Sequence, residues 1–597
     1  MLSCDYIAQR LYDEGVRHVY GLVGGSTAGL NDGFIKHDGI QFIPFHHEQG
    51  AGHAAVGSAR MNNRLSVCNV TAGCGVTNAM TSLLDAFEES VPVLFISGST
   101  NIASQAKYIN KNKNINVRKY GIQDLDAQRT VSHLCKYAVT IEKIEDIPYE
   151  LEKAIHIAKA GRPGPVWIDV PGNFQMANIP DDYKKYVPED DTVTQQTKLI
   201  LQALDLLNKA ERPLIVAGNG INLGNARSQF KKFVERYKIP FVTTFLSKDI
   251  MSYDHDKNIG MLGIKGNRAA NFALQNSDCL LILGCSMNVT HVGYDINTFS
   301  PMSKKIMIDI DENELKKDLF KLDLSINDDV KSFFALSETV TYPYTSLSQQ
   351  WNEKCLHWKT IWPIYDAETH RPDVGGLNLY EIVESINRNM QARDCFIADA
   401  GQPCYILSTN GKYKENCRYM VQAAQGDMGY ALPASVGAYF ADPSSNITLV
   451  IGEGSFFTNV QELAVIKKFN VPIKIFVINN DGYMCIKQTQ DKFFGGRRWG
   501  VCKSTGVYFA DISKIAQAYE IEHVKISTNE ELDLNMPKLL RHPNPIIVEF
   551  ESQNTLDVLP AQAFKPNGVQ GGLHDMAPFL SEEELNREMI VKIEYKS

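Results

Sequence analysis

Two glycine-containing turns, each following a buried strand, carry the side chains best suited to bind a metal ion. They are Gly452-Glu453-Gly454-Ser455, after the predicted strand 447–451, and Asn479-Asn480-Asp481-Gly482, after the predicted strand 471–478. In a parallel sheet both turns lie at the carboxyl edge, where ligands bind. Carboxylate, amide, carbonyl and phosphate oxygens suit Mg²⁺. Glu453 and Asn480 therefore predict a magnesium ion that bridges a diphosphate.

The segment between these turns is predicted to be helical. The helix should begin near Asn459, with Thr458 and Gln461 forming a capping box. A Gly-x-Gly turn alone is more often an ordinary strand-to-helix turn. The specific feature is the order of strand, acidic glycine turn, helix, strand and Asn-Asn turn.

A second constellation lies near the start of the chain. The predicted strand 41–45 leads into a Gly- and Ala-rich helix that begins near Glu48 and contains His53. A glutamate at a helix N-terminus is usually a surface residue that complements the helix dipole. A positioned glutamate is also a general acid or base. The residues alone leave both interpretations open.

The metal-binding pattern resembles the thiamine-diphosphate-dependent enzyme family, whose signature is Gly-Asp-Gly followed by Asn or Asn-Asn. The resemblance implies that Glu453, Asn480 and the carbonyl of Gly482 are the magnesium ligands. Glu453 departs from the family, which usually has aspartate there. The carboxylate is kept but is one methylene longer.

The Glu48 segment resembles acetolactate synthase and its relatives, which carry His-Glu-Gln-Gly-Ala-x-His-Ala-Ala. In that family the glutamate hydrogen-bonds the aminopyrimidine ring of the cofactor and promotes formation of its nucleophilic ylide. The resemblance therefore makes Glu48 the activating residue. The segment 122–126 resembles Phe-Gln-Glu-x-Asp, which places Gln123 on the substrate side, with Ile122 in place of the family's phenylalanine.

Further segments match the family's cofactor contacts in order along the chain. In the turn Gly426-Asp427-Met428, which is Gly-Thr-Met in the family, the resemblance implies that the Gly426 carbonyl accepts from the aminopyrimidine amine and that Met428 supports the bent cofactor. Cys74 and Pro403 replace a family proline and histidine. The cofactor-binding residues implied besides Glu48, Glu453, Asn480 and Gly482 are Gly24, Gly25, Thr71, Cys74, Asn78, Ala400, Gly401, Gln402, Pro403, Gly426, Met428, Gly452, Gly454, Ser455, Tyr483 and Met484.

The substrate pocket departs from that of ordinary acetolactate synthases. Thr489 occupies the position of a family tryptophan that selects 2-ketoacid acceptors. Together with Ile122 and Pro403, it argues against branched-chain acetolactate synthesis. The amino-acid sequence around Thr489 and in the tail segment 575–580 resembles that of acetolactate-synthase homologues linked to bacterial surface-sugar pathways. The expected reaction is decarboxylation of pyruvate or another 2-ketoacid and addition to a carbonyl acceptor, such as a nucleotide-linked keto sugar. A decarboxylase or diketone hydrolase, and a catalytically silent regulatory paralogue, are the alternatives.

Short buried strands alternate with amphipathic helices along the whole chain, a pattern that predicts three doubly wound α/β domains with parallel sheets. Two polar, proline-bearing stretches, 177–197 and 339–371, are interpreted as linkers. The predicted units are a pyrimidine-binding domain (1–180), a middle domain (195–340), a diphosphate-binding domain (370–560) and a tail (561–597).

The middle domain carries a glycine turn within 214–224, and the segments 260–266 and 308–311 resemble contacts to FAD. The loop 284–288 lacks the arginine that the family uses there. An FAD or ADP-like ligand and an empty spacer domain remain equally open. The resemblance also implies a homodimer or homotetramer, with Glu48 and Glu453 meeting across the subunit interface.

Composition limits the other partners. The 597 residues are 44% hydrophobic and 22% charged, with a formal net charge of −9, so no basic excess exists to bind nucleic acid or an anionic membrane. No apolar run has the length of a membrane span, and the charged N-terminus is unlike a signal peptide. The twelve cysteines are scattered, without zinc-ligand spacing. These features predict a cytoplasmic protein with reduced cysteines.

Overall fold

A computed structural model describes residues 1–188, 196–341, 346–370, 376–553 and 556–593. The described strands form three six-stranded sheets, and every strand pair is parallel. The central strands are buried, because helices cover both faces of each sheet. This confirms the predicted α/β fold class with three parallel sheets.

The first sheet has the strand order β2-β1-β3-β4-β6-β5. Its strands are β1 His18–Gly21, β2 Gln41–Pro44, β3 Ser66–Val70, β4 Val93–Ser99, β5 Tyr137–Thr140 and β6 Val166–Pro171. Its helices are Ser3–Asp13, Ala28–Lys36, Glu48–Asn62, Cys74–Asn78, Met80–Glu88, Ala106–Lys113, Ala127–Val131, Ile147–Lys159 and Gly172–Gln175. The order reverses between β1 and β3, which makes the carboxyl ends of these two strands the expected ligand-binding edge.

The second sheet has the order β12-β11-β10-β7-β8-β9, which is the strand order of dinucleotide-binding folds. Its strands are β7 Pro213–Ala217, β8 Phe241–Thr243, β9 Asn258–Met261, β10 Cys279–Leu283, β11 Lys304–Asp309 and β12 Leu324–Asn327. Its helices are Thr197–Lys209, Gly220–Leu223, Arg227–Tyr237, Arg268–Asn276, Val289–Val292, Glu312–Leu315 and Val330–Ser337. Here the order reverses between β7 and β10.

The third sheet, β14-β13-β15-β16-β18-β17, repeats the order of the first. Its strands are β13 Asp394–Ala398, β14 Arg418–Val421, β15 Asn446–Gly452, β16 Lys474–Asn479, β17 Glu522–Ile526 and β18 Ile546–Glu551. Its helices are Leu379–Asn389, Gln402–Asn410, Ala431–Ala441, Glu453–Thr458, Leu463–Phe469, Met484–Phe493, Ile512–Ala518 and Asn529–Leu539. The reversal between β13 and β15 brings together the turns that follow them, and the second of these turns carries Glu453.

The first and third sheets are joined through two closely packed helices, which we call the Glu48 helix (Glu48–Asn62) and the Ala431 helix (Ala431–Ala441). A Cβ atom on Gly57 would lie 2.2 Å from the carbonyl oxygen of Ala434, and one on Gly437 would lie 1.8 Å from that of Ala54. Only glycine permits this approach of two backbones. The contact fixes the two domains of one chain against each other.

The second predicted linker is more ordered than its loop-rich sequence indicates. It contains the helices Ser346–Ile361 and Ala367–His370, and the first of these buries Trp351 and Trp358 against the middle domain. Apolar packing of the tryptophans outweighs the turn-forming residues nearby. The first predicted linker includes residues 189–195, which lie outside the described part of the chain.

The tail returns to the middle domain. Leu573 joins the same core cluster as Trp358, and the helix Glu582–Glu588 ends on Glu588, whose carboxylate accepts from Lys354 at 2.7 Å and from the Trp358 indole at 3.2 Å. None of the described helices has both the length and the apolarity needed to cross a membrane.

The predicted helix start near Asn459 is wrong. A short helix, Glu453–Thr458, begins directly at the acidic turn, and a 3-10 turn, Val460–Glu462, precedes the next helix. The Thr458 hydroxyl donates to the Gly454 carbonyl within the short helix, so it does not form the predicted capping box. The helix therefore begins within the Gly-x-Gly turn. The capping pattern had predicted its N-terminus several residues further along the chain.

Candidate active site

The predicted magnesium ligands lie together at the carboxyl ends of β15 and β16. Glu453 is buried, and its carboxylate accepts from the backbone N–H groups of Asn480, at 3.3 Å, and Gly482. The Asn480 side-chain amide lies 3.5 Å from the Gln402 oxygen, to which its nitrogen donates. This leaves the Asn480 amide oxygen to face a cation. Glu453 and Asn480, predicted from the spacing, and Gly482, implied by the resemblance, thus form one oxygen-rich cluster.

Burial raises the pKa of Glu453 to about 7, although the N–H groups of Gly482 and Asn480 and the nearby ammonium of Lys487 oppose that shift. A desolvated carboxylate is unfavourable unless it is paired with positive charge. A divalent cation would supply that charge. The chemistry of Glu453 therefore fits a metal ligand, despite the extra methylene.

Lys487 is a member of this cluster that sequence reasoning missed. Its buried ammonium group donates to the carbonyl oxygens of Asn480, at 3.2 Å, and Asp481. Lys487 lies in the first turn of the helix Met484–Phe493 and reaches back to the Asn-Asn turn. It holds the turn that presents Asn480. A lysine within an otherwise polar helical segment gave no sequence signal for this inward orientation.

Lys487→Met is therefore expected to loosen the turn while keeping the bulk of the side chain. Loss of hydrogen bonds from a charged donor, worth about 1.5–3 kcal/mol each, predicts a roughly tenfold or larger rise in the Mg²⁺ concentration needed for half-saturation. Calorimetric Mg²⁺ titration in the presence of thiamine diphosphate measures this. Lys492→Met, on an exposed position of the same helix, is the matched control. Equal Mg²⁺ affinity in both variants would contradict the assigned role.

The loops beside the metal cluster are held by two buried polar residues, Asp399 and Asn459. The Asp399 carboxylate accepts from the N–H groups of Gly429, at 3.0 Å, and Ala431, at 2.8 Å. The Asn459 amide donates to the Gly429 carbonyl at 2.9 Å. Neither residue was predicted to belong to the site. Together they fix the turn that contains Gly426 and Met428.

Three of the predicted glycines border open space. A Cβ atom on Gly25, Gly426 or Gly452 would meet no atom within 4 Å. Gly454, in contrast, is required by packing, because a Cβ there would lie 2.2 Å from the ring of Tyr483. Ala400 and Gly401 precede the helix Gln402–Asn410, with Pro403 at its start, where proline is favoured. The backbone therefore leaves room for a ligand beside Glu453.

The Glu48 cluster occupies the corresponding edge of the first sheet. Glu48 is buried at the N-terminus of its helix, so the interpretation as a surface residue does not hold. The Asn78 amide donates to Glu48 Oε2 at 2.9 Å. A Cβ on Gly75 would lie 3.5 Å from Glu48 Oε1, and one on Gly24 only 2.4 Å from Thr71. The predicted residues Gly24, Thr71, Glu48 and Asn78 are thus brought together.

The predicted substrate-side residues are exposed in the single chain. Gln123 has a left-handed backbone (φ +54°), and its carbonyl oxygen lies 3.1 Å from where a Gly73 Cβ would be. Ile122 beside it is 84% exposed. Cys74, in the adjacent loop, is also exposed. Thr489 is exposed on the helix Met484–Phe493, where its hydroxyl donates to the Cys485 carbonyl at 2.9 Å.

Three domain models of one family match the chain in succession. They are the N-terminal thiamine pyrophosphate binding domain (residues 3–129), the central domain (200–336) and the C-terminal thiamine pyrophosphate binding domain (399–550) of thiamine pyrophosphate enzymes. The chain belongs to the thiamine-diphosphate-dependent enzyme family. Its cofactor is accordingly thiamine diphosphate. The Glu48 and Glu453 clusters lie at the glycine-lined edges of the first and third sheets.

Relatives extend over nearly the full length of this thiamine-diphosphate enzyme. The acetolactate synthase large subunit of Lactococcus lactis is 29% identical over 95% of this chain and 96% of the relative. That of Haemophilus influenzae is 28% identical over 98% and 99%. The large subunit of acetolactate synthase isozyme 2 of Escherichia coli is 27% identical over 94% and 97%. The resemblance to the acetolactate synthase group is thereby confirmed.

A pocket of about 620 Å³ lies at the switch point of the middle sheet in this enzyme. Its wall includes the turn after β7, at Asn219 and Gly220, and the loop after β10, at Gly284. It extends to Gly401 and Gly426 of the third domain. Arg162 of the first domain also lines it, already paired with Asp311 at 3.2 Å and Glu314 at 2.7 Å. The pocket therefore adjoins the cofactor loops and has the size of a ligand site.

Proposed function

We propose that this enzyme is a 2-ketoacid decarboxylating carboligase, which uses thiamine diphosphate and Mg²⁺ to join a donor such as pyruvate to a carbonyl acceptor. The observation that carries the proposal is that the chain contains two separate buried clusters. In one, Glu48 is oriented by Asn78, and in the other the Glu453 carboxylate lies beside Asn480. The Glu48 cluster is suited to proton transfer, and the Glu453 cluster is suited to binding a metal ion that coordinates a diphosphate. The acetolactate synthase relatives support the reaction class.

Each residue has a role in this proposal. Glu48 would exchange a proton with the aminopyrimidine ring, while Asn78 keeps its carboxylate in position. Glu453, Asn480 and the carbonyl of Gly482 would hold Mg²⁺. The cofactor, when bound, supplies the nucleophilic carbon and stabilises the negative charge left by decarboxylation. Gln123 would lie on the substrate side.

The remaining proposed cofactor contacts act through shape and backbone. The Gly426 carbonyl would accept from the aminopyrimidine amine, and Met428 would support the bent cofactor. The open edges at Gly25 and Gly452 give room for the ligand. Exclusion of water on binding would strengthen every polar contact inside the site.

For the acceptor we propose a bulky keto sugar linked to a nucleotide, as the sequence resemblance implies. The small Thr489 supports a wider pocket than a tryptophan would allow, and both Thr489 and Ile122 are exposed to an incoming substrate. The decisive experiment incubates protein, cofactor, Mg²⁺ and pyruvate with a panel of aldehydes, ketoacids and nucleotide-linked keto sugars. Mass spectrometry then identifies any coupled product.

Thr489→Trp tests the width of the acceptor pocket. We expect at least a tenfold loss of kcat/KM for a bulky acceptor, about 1.4 kcal/mol of discrimination, because the indole would fill the space. Release of CO2 from pyruvate without acceptor should change less than about threefold, since the donor does not need that space. Thr489→Val, which removes only the hydroxyl, is the control. Equal losses in acceptor and acceptor-free assays would contradict a specific role in acceptor selection.

The alternative functions give different products. A decarboxylase releases a free aldehyde whether or not an acceptor is present, and a diketone hydrolase cleaves a diketone. A silent regulatory paralogue turns over no ketoacid, although it retains the fold. Retention of the buried Glu48, which accepts from the Asn78 amide, favours a catalyst over a silent paralogue.

We also propose a homodimer or homotetramer with active sites between subunits. The contacts of Glu48 come from first-domain residues and those of Glu453 from third-domain residues. Large apolar side chains are exposed in the segment that leads to Gln123 and around the end of the helix Met484–Phe493, including Tyr120, Phe493 and Trp499. Such exposed apolar surface is typical of an interface.

The pocket at the middle sheet is the second ligand site that we propose. The strand order and the position at the switch point favour a nucleotide, FAD or an ADP-like group. The visible absorption spectrum of the purified protein distinguishes bound FAD from an empty pocket.

A further inference from the structure

A buried histidine lies between two buried carboxylates at the contact of the first and third domains. His53 Nδ1 is 3.3 Å from Asp85 Oδ2, and His53 Nε2 is 3.8 Å from Asp427 Oδ2. His53 and Asp85 are fully buried and Asp427 is 8% exposed. We call these three residues the Asp-His-Asp cluster.

The cluster contains polar atoms without hydrogen-bond partners. They are both ring nitrogens of His53, both carboxylate oxygens of Asp85 and Oδ2 of Asp427. Buried polar atoms of this kind are rarely left unsatisfied. Neither contact is a hydrogen bond among the described residues, so an ionised Asp427 would leave an uncompensated charge in the interior, and its protonated form is favoured.

A metal ion would be another way to satisfy these groups, since the three side chains converge closely enough to offer ligand atoms. The two carboxylates, however, lie against opposite nitrogens of the ring. One cation binds one nitrogen of a neutral imidazole. The three ligand atoms nevertheless lie within 4.8 Å of one another, so a metal assay of the purified apoprotein separates a bound ion from a protonated carboxyl.

The surroundings of the cluster are mostly acidic. Asp399 acts electrostatically on both His53 and Asp427, and Glu88 acts on Asp85. Arg60 is the nearby cation, but it pairs with Glu89 at 2.9 Å. Full ionisation of both cluster aspartates would therefore place two anions near Asp399 and Glu89 with little compensation.

The cluster is connected to the cofactor turn. The Gln422 side-chain oxygen accepts from the N–H groups of Gly426 and, at 3.2 Å, Asp427, and the Gln425 amide donates to Asp427 Oδ1. The Glu89 carboxylate accepts from the Ala423 N–H at 2.6 Å. The turn that presents Gly426 and Met428 is thus attached to the first domain through acidic side chains.

We propose that Asp427 is a positioning residue, which must be protonated in its buried site beside His53 to hold Gly426 and Met428 against the cofactor. The inference rests on the proposed function, because it assigns those two residues to cofactor binding. Asp427 stands where the family has threonine, which cannot ionise in this range. The proton requirement is therefore a property of this chain.

The pKa values set the sign of the pH dependence. Burial raises the pKa of Asp427 to about 7 and that of Asp85 to about 7, and it lowers the pKa of His53 to about 4. A carboxyl with a raised pKa favours the folded arrangement when it is protonated. The stabilising contribution of the protonated Asp427 carboxyl is fully present below the ordinary carboxyl pKa of about 4 and is lost as the pH rises from there through 7.

Asp427→Asn tests the proposal, because asparagine keeps the shape and cannot ionise. With saturating Mg²⁺, the Kd of the wild type for thiamine diphosphate should rise about tenfold per pH unit above 7, as one required proton is lost. In Asp427→Asn the rise between pH 7 and pH 9 should stay below about threefold. Asp427→Thr, the family residue, should behave in the same way. Asp533→Asn, at a side chain that is 63% exposed, should follow the wild type.

The proposal is overturned if Asp427→Asn retains the alkaline loss of affinity, or if the purified apoprotein holds a stoichiometric metal ion that Asp427→Asn removes. A second measurement does not need the cofactor. The free energy of unfolding of the apoprotein should fall more steeply between about pH 4 and pH 7 in the wild type than in Asp427→Asn, and the two curves should run parallel above pH 7. Curves that are parallel between about pH 4 and pH 7 would contradict the protonated Asp427. A wild type that binds no thiamine diphosphate but shows the predicted curves would refute only the proposed function and the link to the cofactor.

Discussion

Glu48→Gln is expected to reduce the turnover of a 2-ketoacid by at least about 100-fold, the low end of what a positioned acid or base contributes. The glutamine side chain still offers an oxygen to the Asn78 amide, so the N-terminus of the Glu48 helix should keep its structure. It cannot, however, exchange a proton with the aminopyrimidine ring. Steady-state kinetics with pyruvate, together with circular dichroism of the bound cofactor, separates loss of catalysis from loss of binding.

The control for this experiment is Glu235→Gln, an equal change at an exposed position of the helix Arg227–Tyr237. It should retain the wild-type rate. Turnover in Glu48→Gln within about threefold of the wild type would refute the assignment of Glu48 as the activating residue.

Glu453→Gln is expected to abolish cofactor retention without unfolding the protein. Residues that hydrogen-bond to metal ligands typically contribute about 10–100-fold in metal affinity. Loss of a predicted ligand carboxylate should therefore weaken Mg²⁺ binding by more than about 100-fold. Glutamine still accepts from the N–H groups of Asn480 and Gly482, so the turn should remain folded. Gel filtration without added cofactor, followed by assay of bound thiamine diphosphate, measures retention.

Glu453→Asp is the matched variant, because it keeps the charge and restores the residue usual in the family. It should bind Mg²⁺ within about tenfold of the wild type, since a ligand oxygen remains. Thermal unfolding of the three apoproteins should be similar. Retention of the cofactor in Glu453→Gln would show that the metal does not depend on this carboxylate.

The sequence predicted the fold class and the principal clusters because they depend on local order. Continuous apolar runs predicted the buried strands, and a turn that follows a buried strand must lie at a sheet edge. Glu453 and Asn480 could therefore be paired from their spacing. The resemblance then gave Glu48 its predicted role, and the structure added its burial and its contact with Asn78.

Other features depend on contacts between distant segments and left no local signal. Lys487 reaches back to the Asn-Asn turn, and His53 meets Asp427 from another domain. The helix Ser346–Ile361 was missed because its tryptophans are buried by the middle domain and by a tail that returns from the far end of the sequence. The helix start near Asn459 was misplaced because a capping pattern competed with the true start at Glu453.

The contact between the Glu48 helix and the Ala431 helix has a consequence for engineering the enzyme. Because backbone touches backbone at Gly57 and Gly437, these two points have no side chain to trim, and a larger residue at either would force the domains apart. Libraries that seek new acceptors should leave both helices unchanged. Variation belongs in the exposed segments around Ile122 and Thr489, which can be remodelled while the rigid frame preserves the geometry of the chemistry.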